Sequence, residues 1–268
     1  MTWESSGRLW GARAADWAEE EEREAPKFAA VIERVGVAPG QAVLDVGCGS
    51  GVFLSMAADR GARPSGLDAS EALIGIARRR VPGADLRVGD MTRLPWAADA
   101  FDLVTGFNSF VLADDVTAAL REAGRVARAG APVVVQVWGR PERSDLTPML
   151  RAIRALWPGP APPAAPPMSQ PGVLEAAAGG AGLAAGEVFD VAFALEYADE
   201  RELLRTLLSA GAVVEATEAH GERAVAGAIL AALEPFRTGG GGYRLETEWH
   251  TLVARVPAGP GVSASRRT

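Results

Sequence analysis

The 268-residue chain has few of the residues from which disulfide-bonded and metal-binding proteins are built. Its one cysteine, Cys48, excludes a disulfide within the chain and a zinc site made of several cysteines. Its two histidines, His220 and His250, leave little for a histidine-rich site, and clustered acids for magnesium cannot be placed from the sequence. We therefore expect no metal. Lysine is scarcer still, since Lys27 is the only one.

Further absences bear on location and partners. No apolar run approaches the roughly 18 residues that indicate a membrane-spanning helix. The first residues combine no basic start with an apolar stretch, so no signal peptide is predicted. A net charge of −7 argues against a nucleic-acid or anionic-membrane surface. We expect a cytoplasmic protein with a small-molecule partner, no nucleic acid and no membrane span; a homodimer is left open.

The residues that are present predict an α/β fold. With 48% hydrophobic and 23% charged residues, the chain can bury a large core and is not expected to be disordered. Short apolar runs alternate with helical patterns, which predicts a parallel sheet with right-handed crossovers. The predicted strands are 42–46, 64–67, 86–88, 101–107 and 133–138, and the helices among them are 52–59, 71–80 and 115–128.

The rest of the chain is predicted to add a cap and to complete the sheet. Helix 144–156, helix 173–181, strand 187–193, helices 200–209 and 213–236, and strand 243–256 follow in that order. We divide the chain into an N-terminal helical cap segment 1–36, a core 37–138, a proline-rich lid 139–172, a C-terminal part 173–256 with a helical insertion 199–238, and a disordered tail 257–268.

Residues 44–51, LDVGCGSG, form a glycine loop between a predicted strand and a predicted helix. Such a loop lets backbone N–H groups approach a ligand closely. The loop lacks the lysine of a P-loop, and Val52 stands where a dinucleotide-binding loop has its third glycine. An acid two residues before a GxGxG loop resembles the first motif of class I S-adenosylmethionine (SAM)-dependent methyltransferases. A tight turn without a ligand is the alternative.

Acids at the ends of the next strands favour a ligand. Asp68 closes the second strand, where a carboxylate can accept hydrogen bonds from the ribose of SAM or of a nicotinamide cofactor. Asp90 and Met91 close the third strand and are similar to the adenine site of that family. The resemblance covers about residues 40–138 and is closest to the small-molecule branch, the ubiquinone- and menaquinone-biosynthesis type with its natural-product relatives.

This resemblance implies a Rossmann-like, seven-stranded, mostly parallel sheet with the last strand antiparallel, helices on both faces and a helical cap. It implies SAM as cofactor, S-adenosylhomocysteine as product and a small-molecule methyl acceptor in secondary-metabolite or quinone biosynthesis. In the family pattern the glycines meet the methionine moiety. The cofactor-binding residues that the resemblance implies are Asp45, Gly47, Cys48, Gly49, Gly51, Asp68, Ala69, Asp90, Met91 and Phe107.

The acceptor is expected beyond the carboxyl ends of the strands, beside Trp17, Asn108 and Trp138. The chain has FNSF at 107–110 instead of the Asn/Asp-Pro-Pro-Tyr/Phe motif of some relatives, which disfavours methylation of bases and glutamine. His250 is a weak candidate for a general base. The alternative functions are a SAM-binding protein of this fold that does not methylate and, less favoured, an NAD-dependent oxidoreductase.

Overall fold

The computed structural model describes residues 2–157 and 167–258. Residues 158–166 of the predicted lid and residues 259–268 of the predicted tail lie outside this range. All seven predicted strands are present among the described residues. They are β1 (Ala42–Val46), β2 (Arg63–Asp68), β3 (Asp85–Val88), β4 (Leu103–Phe107), β5 (Pro132–Trp138), β6 (Ala184–Tyr197) and β7 (Tyr243–Arg255).

The strands form one mixed sheet in the order β3-β2-β1-β4-β5-β7-β6. Strands β1 to β5 pair in parallel, and β7 lies antiparallel to both of its neighbours. The predicted Rossmann-like sheet with its last strand antiparallel is therefore confirmed. The chain reverses its direction of winding between β1 and β4, and open α/β sheets bind their ligands at such a switch point.

Eleven α-helices accompany the sheet within the described residues. They are α1 (Trp3–Gly11), α2 (Ala14–Arg23), α3 (Ala25–Val35), α4 (Val52–Asp59), α5 (Glu71–Arg80), α6 (Val116–Val126), α7 (Thr147–Arg154), α8 (Val173–Gly180), α9 (Glu200–Leu207), α10 (Gly211–His220) and α11 (Glu222–Leu233). Helices α3, α4 and α5 pack on one face of the sheet, and α6 and α8 pack on the other. Strands covered on both faces need apolar residues on both sides, which explains their continuous apolar runs.

Four predicted boundaries are wrong for identifiable reasons. The helix predicted at 213–236 is two α-helices and a short 3₁₀ turn, because Gly221 has φ +83° and ends the first of them. The helix predicted at 144–156 is shortened to α7. Strand β4 begins at Leu103, since Phe101 makes only an isolated bridge to Ala127. Strand β6 has 14 residues because it pairs along nearly all of β7.

A third hydrophobic cluster lies beyond the carboxyl ends of the parallel strands. It joins α7, α9, α10 and α11 to the ends of β6 and β7. The N-terminal helices close on this cluster, because α1 packs against α10 and α2 packs against α9. Each helix among the described residues is too short or too polar to cross a membrane. The two ends of the chain thus build one roof over the sheet edge where the sequence predicts the site.

Candidate functional site

A cavity of about 520 Å³ lies between this roof and the carboxyl ends of the strands. That volume falls within the range of about 300–1,000 Å³ that is usual for ligand pockets. Its floor is the glycine loop with the turns that follow β2, β3 and β4. Its walls come from the N-terminal helices α1 to α3 and from the helices of the third cluster. All the elements that carry the predicted cofactor residues therefore meet at one place.

The glycine loop needs its glycines for both conformation and space. Gly47, Gly49 and Gly51 have φ values of +74°, +53° and +82°, which L-residues with side chains rarely adopt. A Cβ atom at Gly47 would lie 2.3 Å from Cβ of Ser109, so the loop and the turn after β4 are in close contact. Gly47 and Gly49 line the cavity, whereas Cys48 and Gly51 do not. Burial raises the pKa of the Cys48 thiol well above its usual value.

Asp68 ties the glycine loop to the start of α5. Its carboxylate accepts hydrogen bonds from the backbone N–H groups of Gly49 at 2.9 Å and Ser70 at 2.8 Å. Burial raises the pKa of Asp68, and these two backbone donors oppose that rise. Asp68 and Ala69 both line the cavity. Because each carboxylate oxygen accepts more than one hydrogen bond, Asp68 retains the capacity to bind a diol.

Asp90 and Met91 line the cavity on the side of β3. The Asp90 carboxylate accepts hydrogen bonds from the backbone N–H of Thr92 at 2.8 Å and from its hydroxyl at 2.7 Å. This local turn holds the carboxylate in place. Thr92 also lines the cavity, and the sequence analysis did not single it out.

Asp45 is buried beneath the glycine loop at the end of β1. It accepts a hydrogen bond of 2.7 Å from the hydroxyl of Thr105 on β4. Burial raises the pKa of Asp45 well above its usual value, and the neighbouring carboxyl groups of Glu21 and Asp68 raise it further. A positive charge placed in this part of the cavity would relieve that repulsion.

The turn after β4 brings Phe107 and Asn108 to the cavity wall. Phe107 packs edge-on against Phe28 of α3, with ring centroids 4.7 Å apart. Asn108 adopts a left-handed conformation, with φ +54°, and its backbone N–H donates to the carbonyl of Gln136 at 2.7 Å. Its side-chain Oδ1 is buried and has no hydrogen-bond partner among the described residues. It is therefore an acceptor available to a ligand.

An aromatic wall stands beside β5 and β7. Trp138 and Trp249 face each other across these strands and stack with centroids 4.4 Å apart. The ammonium of Lys27 lies 3.6 Å from the Trp249 ring centroid and forms a buried ion pair with Glu24. Trp17, which also lines the cavity, packs edge-on against Trp10. The sequence analysis missed Lys27 as a cavity residue, although a lone lysine on an apolar helix face was a usable signal.

Neither histidine lines the cavity. His250 neighbours Trp249 on β7, and because side chains alternate along a strand it points to the other face. There its Nδ1 lies 2.6 Å from Oδ1 of Asp190 on β6. His220 ends α10 and packs against the Trp157 ring. The structure therefore does not bring the candidate base to the other predicted site residues.

Four acids of the N-terminal segment line the cavity and were not predicted as site residues: Glu4 and the buried Glu20, Glu21 and Glu24. Burial raises the pKa of both Glu20 and Glu21 to about 7. Glu20 accepts a hydrogen bond of 2.7 Å from the hydroxyl of Tyr197 on β6. From the sequence, the run AEEEERE at 18–24 reads as a solvated helix face, and only the packing of α2 against α5 and α9 buries part of it.

The comparison with known proteins matches the part of the chain that forms the floor of the cavity, which is the glycine loop with the turns after β2, β3 and β4. Residues 43–130 match the family model described as "Methyltransferase domain". A demethylmenaquinone methyltransferase of Renibacterium salmoninarum is 37% identical over 111 residues, which are 41% of this chain and 47% of that protein. The chain thus spans about half the length of this curated relative.

Two solved structures share the fold. A chain in the complex of the Haloferax volcanii Trm112 methyltransferase activator with a methyltransferase matches with a TM-score of 0.63 and 20% identity, over 95% of this chain and 99% of that one. The [4+2]-cyclase SpnF matches with a TM-score of 0.56 and 21% identity, over 87% of this chain and 80% of that one. At these identities the matches show the fold alone. Residues 43–130 are thus similar to methyltransferase domains, and they lie within the seven-stranded sheet that these solved structures share.

Proposed function

We propose that the protein is a SAM-dependent methyltransferase that acts on a small-molecule acceptor. The observation that carries this proposal is the convergence of the glycine loop, Asp68 and Asp90 on one cavity at the carboxyl ends of β1, β2 and β3. Taken separately, each of these groups can be explained by a local structural role in a turn or a helix cap. Such local roles do not explain why all three meet around one cavity of ligand size.

The residues around the cavity fit this cofactor. Gly47 and Gly49 line the cavity, and the absence of side chains there lets Ser109 and Glu21 pack against the loop. Asp68 offers carboxylate oxygens to a ribose diol, and Asp90 with Met91 offers a carboxylate and a backbone N–H to an adenine edge. The buried carboxyl groups of Glu21, Asp45 and Asp68 suit a ligand with positive charges at a sulfonium and an ammonium.

The aromatic wall is proposed to hold the acceptor. Trp138 and Trp249 present flat apolar faces, and Leu146, Met149 and Leu150 of the α7 region complete that side of the cavity. The bound cofactor supplies an electrophilic methyl group. Transfer then requires that the acceptor atom be aligned about 3–3.5 Å from it and that water be excluded, which the roof helices accomplish. The predicted lid role of 139–172 is consistent with the place of α7.

The residues on the acceptor side favour catalysis by proximity. The two histidines are outside the cavity. Two lining residues have a buried side-chain oxygen without a hydrogen-bond partner among the described residues, Glu20 on the roof side and Asn108 after β4. An amide cannot take a proton but can orient a hydroxyl or an amine. Holding reactants in alignment can by itself lower the barrier by about 7–11 kcal/mol. We therefore propose a role for Asn108 in orienting the acceptor.

The acceptor class is proposed from the lining and the relatives together. A mostly aromatic wall suits a planar apolar molecule, and the matched Renibacterium protein is named for methylating demethylmenaquinone. We propose a quinol, a phenol or a related secondary metabolite. A cytoplasmic location stays a prediction from the sequence.

A second candidate is a protein of the same fold that binds SAM and does not methylate. The structural match to a [4+2]-cyclase gives it a precedent in fold. Both candidates use the same floor of the cavity. Only the conversion of SAM to S-adenosylhomocysteine in the presence of an acceptor distinguishes them.

Calorimetric titration with SAM, S-adenosylhomocysteine and NAD tests the cofactor. We expect both sulfur ligands to bind and NAD not to bind. Asp68→Asn should weaken both by about tenfold or more, because charged acceptors make the stronger hydrogen bonds. Tight binding of NAD without binding of SAM would overturn the proposal.

Turnover is tested with methyl-labelled SAM and a panel of quinols, phenols and amines. We expect labelled product and S-adenosylhomocysteine with at least one planar acceptor. SAM binding with no turnover across the panel would favour the second candidate.

A further inference from the structure

Helix α2 carries an acid to the glycine loop from outside the methyltransferase domain. Oε2 of Glu21 accepts a hydrogen bond of 2.8 Å from the backbone N–H of Ser50. A Cβ atom at Gly49 would lie 2.6 Å from the same oxygen. Only 6% of Glu21 is exposed, and the residue lines the cavity. Its carboxylate is therefore held against the loop on which the family pattern places the methionine moiety.

The charged groups around Glu21 favour the binding of a cation. Asp45 on β1 is a buried acidic neighbour of Glu21, Asp68 on β2 binds the N–H of Gly49 in the same loop, and Glu24 lies one turn further along the chain. Two cations stand nearby on the helices packed around the loop. Lys27 is paired with Glu24 over the Trp249 ring, and Arg80 binds Ser50 and Glu22. Both are thus committed elsewhere, and the acids around the loop remain in excess.

We propose that Glu21 binds the α-ammonium of the cofactor's methionine moiety, so that the N-terminal helices form part of the cofactor site. This inference rests on the proposed function. An ammonium is a three-proton donor without acceptor capacity, and a carboxylate is its natural partner. The Ser50 bond positions the Glu21 carboxylate and leaves it the capacity to accept further hydrogen bonds.

If Glu21 instead occupies the place of the cofactor's carboxylate, its substitution is expected to strengthen cofactor binding. A carboxylate on the N–H of Ser50, at the start of α4, could instead occupy the place of the cofactor's own carboxylate. In that case Glu21 would compete with the cofactor, and removing its charge would tighten binding. The carboxyl groups of Glu21, Asp45 and Asp68 favour the ammonium partner, since a cation among them favours their charged forms whereas a further carboxylate disfavours them.

The test compares two ligands that differ in the amino-acid part. S-adenosylhomocysteine carries the ammonium, whereas 5′-methylthioadenosine keeps the nucleoside and the thioether and lacks the amino acid. Both are titrated by calorimetry, with competition for the weaker ligand, into the full chain, Glu21→Gln and Glu33→Gln. Glutamine still accepts the Ser50 hydrogen bond, and Glu33 is an exposed residue of α3 that serves as the matched control.

We expect Glu21→Gln to lower the affinity for S-adenosylhomocysteine by about 10- to 100-fold and to leave 5′-methylthioadenosine within about twofold. Glu33→Gln should change neither. Equal losses for both ligands, or no loss for either, would show that Glu21 only supports the loop. A gain for S-adenosylhomocysteine would show that it competes with the cofactor. If the unaltered protein binds neither S-adenosylhomocysteine nor SAM, the proposed function itself fails.

Proton release provides a second readout. Burial raises the pKa of Glu21 to about 7, so near neutral pH the free carboxyl group is partly protonated. An ammonium beside it favours the charged form and expels that proton. Titrations in buffers of different ionisation enthalpy should detect a net proton release in the unaltered protein. Asp45, Asp68, Glu24 and Lys27 face the same group and are unchanged in the variant, so Glu21→Gln should release fewer protons, and an unchanged release would contradict the proposal.

Discussion

The role that a single residue can play in this protein depends on where its side chain points as much as on its chemistry. His250 and Trp249 are adjacent on β7, yet Trp249 lines the cavity and His250 binds Asp190 on the other face. The histidine has the chemistry of a base, but the strand places it outside the cavity. The tryptophan has no acid–base chemistry, and the strand places it in the wall that is proposed to hold the acceptor.

We expect His250→Ala to keep turnover within about tenfold of the unaltered protein, which corresponds to about 1.4 kcal/mol. Trp138→Ala, which removes half of the stacked pair, should cost more. Both are measured with an acceptor found in the panel, after thermal unfolding and SAM titration have shown an intact fold. A general base contributes about 10²- to 10⁴-fold. A loss of that size in His250→Ala would identify the histidine as the base.

The Lys27–Glu24 pair provides a second residue-scale prediction. Both side chains are buried, so removing one leaves the other charge uncompensated. Lys27→Met should lower the free energy of unfolding by about 3–5 kcal/mol. The double variant Lys27→Met/Glu24→Gln should recover much of that loss. The cycle consists of the unaltered protein, Lys27→Met, Glu24→Gln and the double variant, and chemical denaturation of all four measures the coupling energy. Additive effects of the two single changes would contradict the pairing.

At the scale of elements, helix α1 packs so closely on the turn after β2 that the contact has no space for one additional methyl group. A Cβ atom at Gly7 would lie 2.1 Å from the carbonyl oxygen of Ala69, a backbone atom that cannot simply move aside. Thr2, Trp3 and Trp10 of the same segment line the cavity. The contact therefore sets how α1 closes the side of the cavity on which Asp68 and Ala69 lie.

Gly7→Ala should displace α1, destabilise the protein and weaken SAM binding. Gly227→Ala is the matched control, because Gly227 is exposed in the middle of α11 and a Cβ atom there would meet nothing within 4 Å. Alanine at that position should stabilise the helix by about 0.5–1 kcal/mol and leave SAM affinity unchanged. Thermal unfolding and calorimetry distinguish the two variants. A stabilised Gly7→Ala protein with normal affinity would show that α1 does not close the site.

At the scale of the whole molecule, the buried acids make stability depend on pH. Burial raises the pKa of Glu20 and Glu21 from 4.5 to about 7. Below pH 4.5 these groups are protonated in both the folded and the unfolded protein. Between pH 4.5 and 7 the folded protein holds more protons than the unfolded one, so the free energy of unfolding falls as the pH rises through this window. These two groups therefore lower the free energy of unfolding of the ligand-free protein most at neutral and higher pH.

For Glu21 the fall should amount to about 2–3 kcal/mol between pH 5 and pH 8, since one pKa unit corresponds to about 1.4 kcal/mol. Glu21→Gln should lose this part of the slope and be more stable than the unaltered protein at pH 8. The control Glu33→Gln should keep the slope. Denaturant unfolding at several pH values measures all three. Parallel curves for Glu21→Gln and the unaltered protein would contradict the raised pKa.

Particular residues show how far the sequence could predict the site. Asp45, Gly47, Asp68, Asp90 and Met91 stand at or just beyond the carboxyl ends of short strands, and the topology of a parallel sheet brings such ends together. Their meeting at one cavity could therefore be inferred from local patterns. The boundary errors arose where local patterns were ambiguous, as at Gly221, where a helical pattern continues through a glycine that ends the helix.

The sequence by itself determined the alternation of strands and helices and the residues on the floor of the cavity, because strand, glycine loop and helix are specified by residues that are neighbours in the chain. Only the tertiary structure decided the walls. Glu21, Lys27 and Trp249 reach the cavity because α2, α3 and β7 pack together from distant parts of the chain, and no local pattern records such packing. The residues proposed to bind the cofactor's nucleoside could thus be predicted from the sequence, whereas those proposed to hold its ammonium and the acceptor could not.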